Sequence, residues 1–132
     1  MKVFSGANNG VLRSFYAYSP QFTGGITVSS GDVNGDGKAD IITGAGPGAD
    51  PHVNVFSGAT GANIKSFDAF PTTFRGGISV AAADLNGDGK ADIVVGALTQ
   101  SSQLKAFNAV NLTVIDNFFA YSEALGLRVA AG

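Results

Sequence analysis

The sequence predicts an all-β chain assembled from repeated four-stranded units. Three observations carry that expectation. Glycine is abundant, at 19 of 132 residues, while charged residues make up only 14%, a balance that favours tight turns and short strands over helices. Stretches of roughly five to eight residues rich in Ile, Val and Phe recur between Gly, Asn, Pro and Ser clusters, and no window carries a useful helical period. The segments also repeat at an interval of about 52 residues.

The repeats place each strand in order. Val3-Phe4-Ser5-Gly6-Ala7 returns as Val55-Phe56-Ser57-Gly58-Ala59. Ser14-Phe15-Tyr16-Ala17-Tyr18 returns as Ser66-Phe67-Asp68-Ala69-Phe70, and more loosely as Asn117-Phe118-Phe119-Ala120-Tyr121. Gly24-Gly25-Ile26-Thr27-Val28 returns as Gly76-Gly77-Ile78-Ser79-Val80, and Leu127 to Gly132 is a third copy of that segment. Each unit therefore predicts four strands. The first runs from Ile26 to Ser30 or Ile78 to Ala82. The second runs from Asp40 to Gly44 or Asp92 to Gly96. The third runs from His52 to Ser57 or Gln103 to Asn108. The fourth runs from Ile64 to Phe70, with counterparts at Leu12 to Tyr18 and Val114 to Tyr121.

Four short antiparallel strands per unit of about 50 residues are the mark of β-propeller blades. The composition of the strands agrees. Ala81, Ala82 and Ala83 stand on a first strand, where blades crowd near an axis, and the large aromatics stand on the fourth. Met1 aligns with Val53, so the chain opens on a third strand, and Gly132 aligns with Gly31 and Ala83, one residue before a third acidic loop would begin. The expected organisation is a partial blade over 1–23, blades over 24–75 and 76–124, and a lone first strand over 125–132. That is eleven strands, or about 2.75 blades of four. A closed ring typically needs four to eight blades, so closure is expected through oligomerisation or a longer parent protein. A homodimer forming a six-bladed ring is the favoured arrangement.

Several function classes drop out. A net charge of −2 with no basic run argues against nucleic acid. There are no cysteines, which removes a disulfide framework, a thiolate metal site and a cysteine nucleophile. Their absence fits an exported protein stiffened by metal. No apolar run reaches the ~18 residues of a membrane span, and Met1-Lys2-Val3-Phe4-Ser5-Gly6 lacks the apolar region of a signal peptide.

The chemistry concentrates in two loops. Asp32-Val33-Asn34-Gly35-Asp36-Gly37-Lys38-Ala39-Asp40 recurs as Asp84-Leu85-Asn86-Gly87-Asp88-Gly89-Lys90-Ala91-Asp92, and together they hold six of the ten acidic residues. Oxygen side chains at alternate positions converge when a chain wraps an ion. In the first loop Asp32, Asn34 and Asp36 would each give a side-chain oxygen, Lys38 its backbone carbonyl, and Asp40 both carboxylate oxygens. In the second loop Asp84, Asn86, Asp88, the Lys90 carbonyl and Asp92 would do the same. Six such donors plus one water fall in the range of about 6–8 that calcium takes. All-oxygen ligation favours calcium over softer ions, so two Ca2+ sites are expected. Gly37 and Gly89 take the sharp turn. A hairpin turn alone needs neither five oxygen-bearing positions nor three clustered carboxylates.

These residues resemble the FG-GAP (VCBS-like) repeats of integrin α-subunit propellers and bacterial secreted proteins. The matching pattern is Gly-Gly-Ile-x-Val, then Asp-x-Asn-x-Asp-Gly-x-x-Asp, then Ile-x-x-Gly-Ala. The resemblance implies a β-propeller with calcium in the loop between the first and second strands of each blade, and a role in adhesion, carbohydrate binding or protein contacts. In the last unit Gly96-Ala97-Leu98-Thr99-Gln100 replaces the Gly44-Ala45-Gly46-Pro47-Gly48 turn.

The remaining polar features read as structural. His52 is the one histidine and takes a strand-edge role. Asp50 is a turn residue rather than a further ligand. Gly44 to Gly48 lacks the lysine and following helix of a phosphate loop. Phe15, Phe67 and Phe118 are assigned to the inter-blade core. Tyr16, Tyr18, Phe70, Phe119 and Tyr121 are the candidates for an aromatic surface. Asn111-Leu112-Thr113 fits a glycosylation sequon. Outside the loops only scattered Asp68, Asp116 and Glu123 could serve acid–base chemistry. The expectation is thus a non-enzymatic, extracellular or cell-surface, calcium-binding repeat module for adhesion, binding or self-assembly, with a protein or glycan ligand and neither nucleic acid nor membrane as partner. The alternatives are a lectin with one sugar site per blade, the repeat portion of a secreted hydrolase, and an engineered scaffold without a natural ligand.

Overall fold

A computed structural model describes residues 1–119 apart from Ser5, Gly6, Asn9 and Ser102. The expected strand over 125–132, together with Tyr121 and Glu123, lies outside the described residues, as do the side chains of Phe118 and Phe119. The described chain is all-β. Its strands are β1 (Lys2–Phe4), β2 (Val11–Ser14), β3 (Ile26–Gly31), β4 (Asp40–Ala45), β5 (His52–Phe56), β6 (Asn63–Asp68), β7 (Ile78–Ala83), β8 (Asp92–Ala97), β9 (Gln103–Phe107) and β10 (Val114–Phe119). They form a two-stranded sheet β1-β2 and two four-stranded meanders, β3-β4-β5-β6 and β7-β8-β9-β10. Every strand pair is antiparallel.

The repeat extends to register. In the β1–β2 pair Lys2, Val3 and Phe4 oppose Ser14, Arg13 and Val11, with an irregularity after Val3. In the β5–β6 pair Asn54, Val55 and Phe56 oppose Ser66, Lys65 and Asn63, with the irregularity after Val55. The first sheet is therefore an outer strand pair, equivalent to the third and fourth strands of a full unit. The inner pairs match in the same way, Ile26 opposing Ala45 and Ile78 opposing Ala97.

Burial tracks strand position. β4 is an interior strand and is buried along almost its whole length, which is why Ile41-Ile42-Thr43-Gly44-Ala45 reads as a continuous apolar run. β6 is an outer strand and alternates toward solvent. The two four-stranded sheets meet where β3 and β4 pack on β7. Thr27 Oγ1 donates to the Ile78 carbonyl at 2.8 Å across that contact. A Cβ added at Gly44 would lie 2.8 Å from Thr27 Oγ1 and 2.9 Å from the Ile78 side chain, so only glycine lets the sheets approach this closely. Ile78 and Val80 are 0% and 4% exposed as a result, and full burial of each is worth about 2 kcal/mol.

Aromatic pairs join the outer strands. Phe15 packs on Phe56 with ring centroids 4.7 Å apart, and Phe67 packs on Phe107 at 4.9 Å. Both match the inter-unit core assigned from sequence. Tyr18 is structural too. Its hydroxyl donates toward the carbonyls of His52, at 2.7 Å, and Thr43, at 3.0 Å, and accepts from Thr43 Oγ1 at 3.3 Å. The next unit puts Phe70 at the position of Tyr18 and Val95 at that of Thr43, replacing a matched polar pair by a matched apolar one. Tyr16, by contrast, is largely exposed.

Burial pushes the Tyr18 hydroxyl up to about 12 from its ordinary 10.0. A phenol that ionises later when folded contributes its full stability below about pH 10, and that contribution is lost as pH climbs through about 12. Tyr18→Phe is expected to cost about 1 kcal/mol at neutral pH and to flatten the loss of stability over that alkaline window. Adding Thr43→Val should recover part of the cost, because the pair then repeats Phe70 and Val95. Urea denaturation at a series of pH values measures both effects.

Candidate metal centre

Each acidic loop joins the first strand of a unit to the second, β3 to β4 and β7 to β8. The tight path needs two left-handed residues per loop: Gly35 and Gly37 have φ of 80° and 82°, and Gly87 and Gly89 have 76° and 83°. The sequence pattern singled out only the second glycine of each pair. The first is required because the chain reverses again between the third and fifth loop positions.

The loop holds its own side chains. Asp32 Oδ1 accepts from the N–H of Gly35 at 2.7 Å and of Asp36 at 3.1 Å, and Oδ2 accepts from Gly37 at 2.8 Å. Asn34 Oδ1 accepts from Asp36 N–H at 3.0 Å, and Asp36 Oδ1 accepts from Lys38 N–H at 2.8 Å. The second loop repeats the set through Asp84, Asn86 and Asp88, at 2.8 to 3.2 Å. The N–H groups of Gly37, Gly35 and Asp36 hold the Asp32 carboxyl below its usual range, so it stays ionised and oriented.

The closing aspartates stand apart. Asp40 and Asp92 are fully buried. Asp40 Oδ2 accepts from Val33 N–H and Oδ1 from Gly58 N–H, both at 3.0 Å. Asp92 does the same with Leu85 at 2.9 Å and Ala109 at 3.3 Å. Gly58 and Ala109 lie just after β5 and β9 respectively. Each closing carboxyl thus ties the acidic loop to the hairpin turn between the third and fourth strands, a task that the local loop pattern does not reveal. Among the described residues no three His, Cys, Asp or Glu side chains group as a ready cage. The donor set of each loop is mixed: two exposed or half-buried aspartates, one asparagine amide, the Lys38 or Lys90 carbonyl, and a buried aspartate already accepting two N–H bonds. All of these donors are oxygens, which suits calcium, and each carboxylate oxygen keeps acceptor capacity beyond its backbone bond.

The two loops also touch. The Asp32 carbonyl accepts from Ala91 N–H at 2.8 Å. Gly35 faces the Lys90 side chain, whose Cε would lie 3.0 Å from an added Cβ.

Residues 32–95, from the first position of one loop to the strand after the other, match the FG-GAP-like repeat. No solved structure matches the chain. The FG-GAP-like repeat is a non-catalytic module, and the polar groups nearby are organised accordingly. His52 Nδ1 is 2.7 Å from Asp68 Oδ1 and Nε2 is 2.6 Å from Ser66 Oγ, the connectivity of a hydrolytic triad. Ser66, however, donates to Asn54 Oδ1 at 2.8 Å. The next unit puts Gln103 and Asn117, whose side chains hydrogen-bond at 2.7 Å, at the places of His52 and Ser66, and Phe119 at that of Asp68. Neutral amides serve equally well there, so the group is a cross-strand lattice, in keeping with the strand-edge role expected for His52. Asp50 lies beyond the far end of β4 from the loop, 3.0 Å from Arg75 Nη2. That contact is too poorly angled to count as a hydrogen bond to Oδ1, and as an exposed pair it is worth at most about 1 kcal/mol. Asn111 sits in the turn before β10, where its Oδ1 accepts from the Thr113 N–H and hydroxyl.

The geometry separates two kinds of aspartate. Asp40→Asn leaves one of two buried N–H groups facing an amide NH2, and is expected to cost about 2–3 kcal/mol in urea denaturation even with chelator present. Asp36→Asn should leave stability in chelator unchanged and weaken calcium binding about tenfold by calorimetry.

Proposed function

We propose that this chain is a calcium-binding propeller-type repeat module with a binding, adhesive or self-assembling role. Calcium holds each inner hairpin through Asp32, Asn34, Asp36, the Lys38 carbonyl and Asp40, and through Asp84, Asn86, Asp88, the Lys90 carbonyl and Asp92. The observation that carries this reading is the duplication of an oxygen-lined loop whose hydrogen bonds agree between copies to within a few tenths of an ångström. Asp32 with Asp36, and Asp84 with Asp88, add negative charge to each loop, and a divalent cation would neutralise it. Affinity near ~10⁻⁴–10⁻³ M is expected of extracellular modules of this kind, which fits an extracellular or cell-surface setting. The blades close a ring by assembly of copies, with a homodimer as the favoured count, or within a longer parent protein.

The glycan reading asks for one site per unit. A surface recess of about 250 Å3 is bounded by Tyr18, Phe22, Asp50 and His52, but the second unit replaces Tyr18, Phe22 and His52 by Phe70, Phe74 and Gln103. The recess therefore favours the module over a lectin with repeated sites.

Thermal melting with calcium and with chelator tests the reading. A cation that binds only the folded chain stabilises it by about 2.7 kcal/mol per site at a hundredfold excess over Kd. A marked rise in melting temperature with calcium, reversed by chelator and reduced by about a quarter by Asp88→Asn, is expected. Identical melting curves in both conditions would exclude structural calcium.

A further inference from the structure

A recess of about 260 Å3 opens where the first complete unit meets the second. The first unit supplies Asn34 from its acidic loop and Ile64 and Lys65 from β6. The second supplies Lys90 from its own loop and Val110 from the turn before β10. Both units are four-stranded, so the recess lies between two complete sheets. The junction places each lysine. The Lys90 stem runs along Gly35 of the preceding loop, where an added Cβ would lie 3.0 Å from its Cε. The Lys65 ammonium donates across the junction to the Val110 carbonyl at 3.4 Å, a long bond that engages one of its three donors. Among the described residues neither lysine forms an ion pair, and no carboxylate lines the recess. Two cations thus share one recess in a chain whose net charge is −2. The walls beside them are aliphatic, with Ile64 and Val110 36% and 54% exposed. In the next unit Asp116 takes the place of Lys65, so strand packing by itself does not demand a cation there.

We propose that this recess binds an acidic peptide segment of a partner protein. One carboxylate sits between Lys65 and Lys90, and a neighbouring aliphatic side chain lies against Ile64 and Val110. The inference rests on the binding role proposed above and not on calcium. Charge selects the ligand's sign, because the recess presents ammonium donors and no acid. Asn34 adds to them: its Oδ1 accepts from Asp36 N–H at 3.0 Å, which leaves its NH2 as a further donor on the rim. The lining then favours a peptide over a glycan. No aromatic ring lines the recess, so a sugar ring finds no flat face to stack on. Two ammoniums and one amide also offer little to a ring of neutral hydroxyls, whereas the aliphatic walls suit an apolar side chain. Lysine is a compact charge on a flexible stem and meets a carboxylate from several directions, as a side chain on an extended peptide requires.

Fluorescence anisotropy with a labelled peptide of alternating leucine and glutamate tests the site, using the whole chain in calcium and in chelator. The peptide is expected to bind, and its glutamine counterpart to bind about tenfold more weakly. Lys65→Met with Lys90→Met keeps both stems and removes both charges. The melting curve of that double variant should match wild type while its peptide affinity falls about tenfold. Lys2→Met removes a charge on β1, away from the recess, and should leave affinity unchanged. Equal binding of the glutamine peptide overturns the proposal, as does an unaltered affinity in the double variant or an equal loss in Lys2→Met. Tighter binding of a uronic-acid oligosaccharide than of the peptide overturns it in favour of a glycan. A glutamate peptide that does not bind overturns it too, while calcium-dependent melting would still support the calcium reading. Peptide binding in a chain whose melting ignores calcium would refute the calcium reading and leave this one standing.

Discussion

One buried carboxyl per unit ties the hairpins together. Asp40 opens β4, yet its oxygens reach Val33 in the acidic loop and Gly58 in the turn between β5 and β6. A single side chain therefore connects the turns at both flanks of a four-stranded sheet. The cost of burying it is offset by the two N–H groups that its oxygens accept from. Local fit decides how tightly this works. A Cβ on Gly58 would collide with the Ala39 carbonyl, whereas the second unit carries Ala109 at that place and accepts a bond lengthened to 3.3 Å. The acidic loop is thus anchored at its closing end by the Asp40 carboxyl, while Asp32, Asn34 and Asp36 are held by N–H groups of the loop itself.

The repeat also shows which interactions are interchangeable. Tyr18 with Thr43 and Phe70 with Val95 fill one place by hydrogen bonding and by apolar packing respectively. His52 with Ser66 and Gln103 with Asn117 bridge the same two outer strands through different groups. In both cases geometry is kept and chemistry is exchanged, as expected when the backbone register does the specifying. The loops are the exception. There every oxygen-bearing position and both glycines are retained, which points to a requirement beyond turn geometry.

Neighbouring units determine burial more than residue type does. Ile26 and Ile78 are the same residue in the same register and differ only in the unit that precedes them. Val33 and Leu85 differ in the cover on their other side: Val33 is 1% exposed beneath the second unit, while Leu85 is 50% exposed. Repeat architectures bury their faces on adjacent repeats, so the stability of any one unit belongs partly to its neighbours.

Much of the fold was legible in the sequence because it is local. β-Branched runs between turn residues marked the ten described strands, and a period of about 52 residues ordered them into an outer pair and two complete meanders. The spacing of Asp32, Asn34, Asp36 and Asp40 marked the loop. Long-range contacts were not legible. Nothing near Asp40 in the chain names Gly58 as its partner, nothing in the second loop announces that Ala91 bonds the Asp32 carbonyl, and the inward aim of the Tyr18 hydroxyl depends on strands 25 and 34 residues away. Sequence by itself determined strand, turn and loop chemistry, since those arise from each residue's own backbone preferences. Tertiary structure alone decided which polar atoms meet and which of two identical faces is covered, because both depend on elements distant in the chain that packing brings together.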